Sequence, residues 1–242
     1  MNSTQSGRAA SPVVIEPFAI DPASSVSGKD ALRVLADAGR HYVRRVRALA
    51  EGSDRPTQHA YMARVRGTGP GVHFGSLVKA IERDVPLDWH IPFEGSHQVR
   101  GASLELRDVL DEDRDDGFLL LEFRADTGDL PLHVHARSDR FIIAIGGRGF
   151  FHLSTDDASN VTIGSIRHIP VRDRDALIFL RGTPHTFSTA DAPLLLLSYH
   201  SPYVPLEHED QFAVCEPLML PKQFLAGHRS RVSFDRAWNA LG

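Results

Sequence analysis

Two stretches constrain this chain more than any others: His133-Val134-His135, and Gly182-Thr183-Pro184-His185. On a strand, side chains two apart point to one face, so His133 and His135 can aim at one point. His185 follows a Gly-Thr-Pro turn that can bring it to the same point from another strand. Three imidazoles so placed cover one side of a metal ion and leave the other side open for substrate.

The surrounding pattern is dense in β signal. Apolar runs at 118–124, 132–135, 141–145, 150–154, 166–170, 176–180 and 194–200 are separated by Gly, Pro, Asp and Asn clusters. Many short strands at this spacing predict a sandwich or barrel.

At these residues the chain resembles the cupin superfamily. The family's first motif has the form G-x5-H-x-H-x3,4-E-x6-G. Gly128, His133, His135 and Gly147 match it, with Gly128 one residue closer to the histidine than the pattern asks. The second motif has the form G-x5-P-x-G-x2-H-x3-N. Gly182 and His185 match it, after Asp175 and a hydrophobic run. Leu180 stands at the usual proline, Arg174 at a usual glycine and Thr189 at the usual asparagine. The resemblance spans about residues 118–203. It implies an all-β fold, a single cupin double-stranded β-helix (a jelly-roll barrel) with an N-terminal helical extension. It also implies a homodimer, because cupins commonly pair through outer strands.

The glutamate position of the first motif has two registers. A three-residue spacer puts Asp139 there and closes on Gly146; a four-residue spacer puts Arg140 there and closes on Gly147. The second register aligns Gly147-Arg148-Gly149 with the glycine-rich turn that usually follows the strand, and is preferred. Arginine cannot ligate a metal, because it stays protonated at any usable pH. The protein ligands are then His133, His135 and His185, with Asp139 as a weak or outer partner.

Neutral imidazoles with open positions suit Fe(II), Zn(II), Ni(II), Mn(II) or Cu(II). Without a carboxylate ligand the site carries more positive charge and favours anionic or chelating substrates. Arg140 is either a solvent-facing strand residue or a clamp for a substrate carboxylate or phosphate. Strand alternation sends either Tyr199 or His200 into the barrel. Tyr199 is a core aromatic or a substrate-binding residue. No catalytic residue beyond the metal ligands is assigned.

Composition limits the partners. The net charge is −4 and no basic face stands out, so nucleic acid has no electrostatic support. The single cysteine, Cys215, excludes a disulfide within the chain and agrees with a reducing compartment. The opening residues lack a charged-then-apolar signal pattern, and the longest apolar run is strand-sized. The expectation is a cytoplasmic protein with no membrane partner.

Four regions are expected: a loose arm over 1–28, a helical and β extension over 29–114, the barrel over 115–205 and a tail over 206–242 packing on it. Ser27 to Asp30 reads as a capping box opening a helix to about Ala50. Leu32, Leu35, Val43, Val46 and Leu49 would face its core; Arg40, Arg44, Arg45 and Arg47 would form a solvated face. Strands are expected over 61–66 and 99–110, a turn over 67–71 and a helix over 76–83. Ser233 reads as the cap of a last short helix over 234–241.

The function expected is a metal-dependent enzyme with one divalent ion, Fe(II) ahead of Zn(II) or others. Its reaction would be of the non-haem iron dioxygenase type, on a small organic acid or aromatic metabolite. Its rivals are a redox-neutral zinc-dependent enzyme and a cupin that binds a small ligand without turnover. A metal-free epimerase-like cupin with a His–Tyr pair fits the H-x-H pattern poorly.

Overall fold

The computed structural model describes residues 13–20, 27–52, 54, 60–67, 74–92, 98–128, 130–154 and 156–215. The turn expected beyond Gly67 and the helix expected after Ser233 lie outside these residues, as do His73 and His97.

Among the described residues the strands join into one hydrogen-bonded sheet that curls into a barrel. The order is β1 (Val13–Ile20), β2 (Tyr61–Gly67), β9 (Asp175–Phe179), β7 (Asp139–Ser154), β11 (Leu194–Ser201), β5 (Gly117–Phe123), β4 (Val99–Glu105) and β3 (Trp89–His90). The second wall holds β6 (His133–Val134), β8 (Ile166–Arg172), β10 (His185–Ser188) and β12 (Ala213–Val214). The β1–β2 pair is parallel and every other pairing is antiparallel. The architecture is an all-β jelly roll with helices on one outer face.

β7 binds the two walls together. Its first half pairs with β9 and β11, its second half with β8 and β10. The glycine-rich turn expected at Gly147-Arg148-Gly149 is therefore a bend inside one continuous strand of 16 residues. Gly147 has φ +78, and a Cβ there would sit 1.8 Å from the Pro193 carbonyl oxygen. Only glycine fits that backbone in that space. The register against β11 shifts between Leu195 and Leu196, opposite this bend.

The helix α1 (Gly28–Ala50) starts as expected. The Ser27 hydroxyl accepts the Asp30 N–H at 3.2 Å. Leu32, Leu35, Tyr42, Val43 and Val46 are buried against the sheet together with Ile81 of α2 (Phe74–Asp84). Burying each such aliphatic side chain is worth about 1.5–3 kcal/mol. The helix approaches closely because residue 39 is glycine; a Cβ there would meet the Tyr199 ring at 2.6 Å.

Three expectations for the first half need correction. Leu49 is 54% exposed and does not join the core, because it lies in the last turn beyond the sheet contact. Arg40 and Arg47 are not a solvated face. Arg40 donates to buried Asp116 at 2.9 Å, and Arg47 pairs with buried Asp139. The strand expected over 99–110 stops at Glu105, and α3 (Leu106–Leu110) follows. Leu106 and Leu110 are both buried, and their spacing of four sets them on one face of the helix.

The expected regions also interlock. The segment 29–114 supplies β2, β3 and β4 to the sheet, and β4 pairs with β5 from Val99–Phe123 to Glu105–Gly117. Residues 13–20 of the expected arm form β1, and the tail supplies β12 beside His133.

Candidate metal centre

His133 and His185 are cross-strand partners on β6 and β10, and His135 follows β6. The ring centroids lie 4.5 Å apart for His133–His185, 5.1 Å for His133–His135 and 5.0 Å for His135–His185. One ring nitrogen from each lies within 4.8 Å of the others. The three rings form a cluster able to hold a metal ion.

The outer nitrogens fix how the rings face. His133 Nδ1 meets the Pro131 carbonyl at 3.1 Å, and His185 Nδ1 meets the Thr183 carbonyl at 2.8 Å. His135 Nδ1 meets the Gln211 carbonyl. A carbonyl only accepts, so each Nδ1 carries the proton and donates it. Each Nε2 is then the unprotonated nitrogen, the form a metal ligand requires.

Electrostatics keep the rings neutral. Burial pushes the His133 pKa down to about 4, with the Arg140 charge adding to the effect. His135 and His185 are pushed well below the ordinary imidazole value, first by burial and then by Arg140 and the neighbouring imidazoles.

Asp139 and Arg140 are both buried but serve different faces of β7. The Asp139 carboxylate is taken by Arg47, the Arg181 N–H at 2.8 Å and Arg181 Nε at 3.4 Å. It is committed to the outer face and leaves the histidines without a carboxylate. Arg140 is 1% exposed, so it is not a solvent-facing residue. Its Nη2 donates to Gln211 Oε1 at 3.2 Å, while Nε and Nη1 have no hydrogen-bond partner. Burial opposes the charge and lowers its pKa well below the ordinary value. A guanidinium nonetheless keeps its proton. A buried, under-compensated cation therefore stands beside the three imidazoles.

The histidines open onto a cavity of about 40 Å³. That is room for roughly three waters or a ligand of a few heavy atoms. Its wall is mostly apolar, with Leu119, Leu121, Phe123, Ile142 and Phe187 among the lining residues. Ser198, His200 and Gln211 add polar groups. Arg140 is not part of the wall; it stands behind Gln211, to which it is bonded.

A closed-over sheet presenting H-x-H from β6 and the G-T-P-H histidine from the adjacent β10 is the arrangement the two sequence motifs imply. The fold is the all-β jelly-roll barrel that the resemblance to cupins implies.

No family model matches the chain, and no curated protein matches it. Among solved structures, the formate complex of Lactobacillus farciminis oxalate decarboxylase aligns at TM-score 0.41 and 15% identity, over 58% of this chain and 35% of that one. The polyketide cyclase RemF from Streptomyces resistomycificus aligns at 0.42 and 17%, over 59% of this chain and 89% of that one. CapF from Staphylococcus aureus aligns at 0.41 and 9%, over 53% and 34%. The aligned part thus spans about a third of the decarboxylase. Scores this low carry no weight in the argument, which rests on the strand pairing and the histidine motifs. Among the described residues, no helix is long and apolar enough to cross a membrane.

The barrel places one expected site residue elsewhere. Tyr199 is not on the cavity wall. It points outward from β11 toward α1, packs edge-on against Phe118 and donates its hydroxyl to Asp116 at 2.7 Å. Alternation instead turns His200 inward, opposite Arg140 in the β11–β7 register. His200 Nε2 meets the Ser198 hydroxyl at 3.1 Å, and its Nδ1 is buried with no partner. Gln211 also lines the cavity, and no sequence motif includes it. It lies in an irregular stretch with no pattern to mark it. His152 and His168 are satisfied by each other, Nδ1 to Nδ1 at 2.6 Å across β7 and β8.

Proposed function

We propose that this chain is a metal-dependent cupin enzyme of the non-haem iron oxygenase type, acting on a small organic acid or aromatic metabolite. The observation that carries the reading is the convergence of His133, His135 and His185, with carbonyls at Pro131, Thr183 and Gln211 holding the proton on each Nδ1 and leaving Nε2 unprotonated. His133, His135 and His185 would hold the ion; bound there, it would supply a Lewis-acid or redox centre.

The chain's own residues do the rest. The apolar wall excludes bulk water and leaves few competing polar contacts for a small substrate. Arg140 places a fixed positive charge beside the centre, so that an anion is the ligand that balances it. Fe(II) and Zn(II) both fit a neutral three-imidazole set. The reading takes Fe(II), and elemental analysis decides between the two. One observation favours a second reading, ligand capture without turnover: among the described residues, no aspartate or glutamate lines the cavity to move a proton.

The test is an anaerobic preparation with elemental analysis, then oxygen uptake with a panel of small carboxylates and phenols. The expected result is one ion per chain and uptake with at least one compound. The double variant H133A/H185A should lose both. Turnover that persists in that variant after chelation would overturn the proposal. Metal without turnover across the panel would favour ligand capture.

A further inference from the structure

Gln211 occupies an unusual position. It is 2% exposed and lines the cavity, yet it belongs to neither histidine motif. Its backbone carbonyl orients His135, and its side-chain Oε1 accepts from Arg140 Nη2 at 3.2 Å. Arginine has only donors, so the amide oxygen must face it. That fixes the amide: the NH2 end is the one left over. Gln211 Nε2 is buried and has no hydrogen-bond partner. A buried donor without a partner is costly, and its cost is relieved when a ligand supplies an acceptor.

From this placement we infer that Gln211 selects the substrate by donating from Nε2 to an acceptor oxygen of an anion whose other oxygen meets the metal. The inference rests on the proposed three-histidine metal centre and extends it to a ligand class. The ligand is a small carboxylate or other oxyanion with two acceptor atoms. Arg140 stands behind the amide and polarises it, which strengthens its N–H donors toward a negative ligand. The contact also explains why a buried guanidinium can be tolerated beside a dication site: the bound anion offsets both charges. Neutral ligands of the same size lack that gain, and one-ended anions lack the second acceptor.

The test uses full-length protein loaded with Co(II), whose visible spectrum reports ligand binding. Acetate is the two-oxygen probe and chloride the single-atom probe. Wild type should bind both. Q211M keeps the backbone carbonyl that orients His135, so it should retain one Co(II) per chain. It should bind acetate about ten- to hundredfold more weakly, the usual worth of one hydrogen bond to a charged group. Chloride affinity should change by less than about threefold, within the scatter expected when no direct contact is lost. Q211E, which puts an acceptor where the donor was and pairs with Arg140, should weaken acetate at least as much. Should Q211M lose metal, the acetate shift in Q211E decides the matter in its place. Equal loss of acetate and chloride, or acetate affinity that matches wild type, would overturn the inference while leaving the metal centre intact. A wild-type protein that takes up no Co(II) would overturn the metal centre and the inference with it.

Discussion

Asp139 and Arg140 are adjacent in sequence, equally buried, and committed to opposite faces of β7. The acid holds α1 to the barrel through Arg47 and receives Arg181 from the loop before His185. The base stands inside the barrel, where its charge reaches all three histidines. A residue shift of one position would exchange these roles, since side chains alternate along a strand.

Asp139→Asn tests that division. The variant takes a buried anion from the half-exposed Arg47 and Arg181 and should lose about 1–2 kcal/mol of stability, the worth of a charge-assisted hydrogen bond whose donors stay partly in water. Its metal content should match wild type, because the carboxylate is not a ligand. Urea unfolding and elemental analysis on the same sample check both parts. A loss of metal with stability intact would put the acid at the centre instead.

The histidine centre was legible in the sequence for a physical reason. Strand period and turn chemistry are local, and together they aim His133, His135 and His185. Other features were not local. The partners of Arg40 and Arg47 lie 76 and 92 residues away, so their charges read as a solvated face. Alternation leaves two choices at Tyr199 and His200, and the choice is made by Gly39 and Asp116, which receive the tyrosine ring and hydroxyl. Gln211 sits between two strands in an irregular segment, where no periodicity exists to expose it.

Arg140→Met tests the field at the centre. The guanidinium disfavours any further positive charge on the imidazoles. Removing it should raise affinity for a divalent cation by about tenfold or more, given one unit charge at short range in a poorly screened interior. Competition with a chromophoric chelator measures this. Unchanged or weaker metal affinity would show that the charge acts elsewhere.

The metal-free protein should be acid-sensitive in a defined window. His133 titrates near about 4 when folded and near 6.5 when unfolded. Between those values the unfolded chain binds the extra proton. Stability is therefore full above about pH 6.5 and falls as the pH drops toward about 4. For His133 alone the loss is about 3 kcal/mol. Urea unfolding in chelator across this window should show a steep slope for wild type and a shallower one for His133→Asn. Identical slopes would mean that the imidazole is not buried as described.

Gly147→Ala tests whether the barrel depends on the bend in β7. The residue has φ +78, and its added Cβ would lie 1.8 Å from the Pro193 oxygen, so neither rotation nor a side-chain shift relieves the clash. The β7 backbone would have to move away from β11, against which Leu194 and Leu195 pair with Gly147 and Gly146. Strain of this kind typically costs more than about 3 kcal/mol, which can exceed half the stability of a domain. The bend also sets the angle between the β6–β10 wall and the rest of the barrel, and so the direction from which His185 arrives. A partly folded variant should therefore lose metal in proportion to its lost structure, measured by circular dichroism and elemental analysis on the same sample. Full stability in the alanine variant would mean that the strand reaches the second wall by a different path.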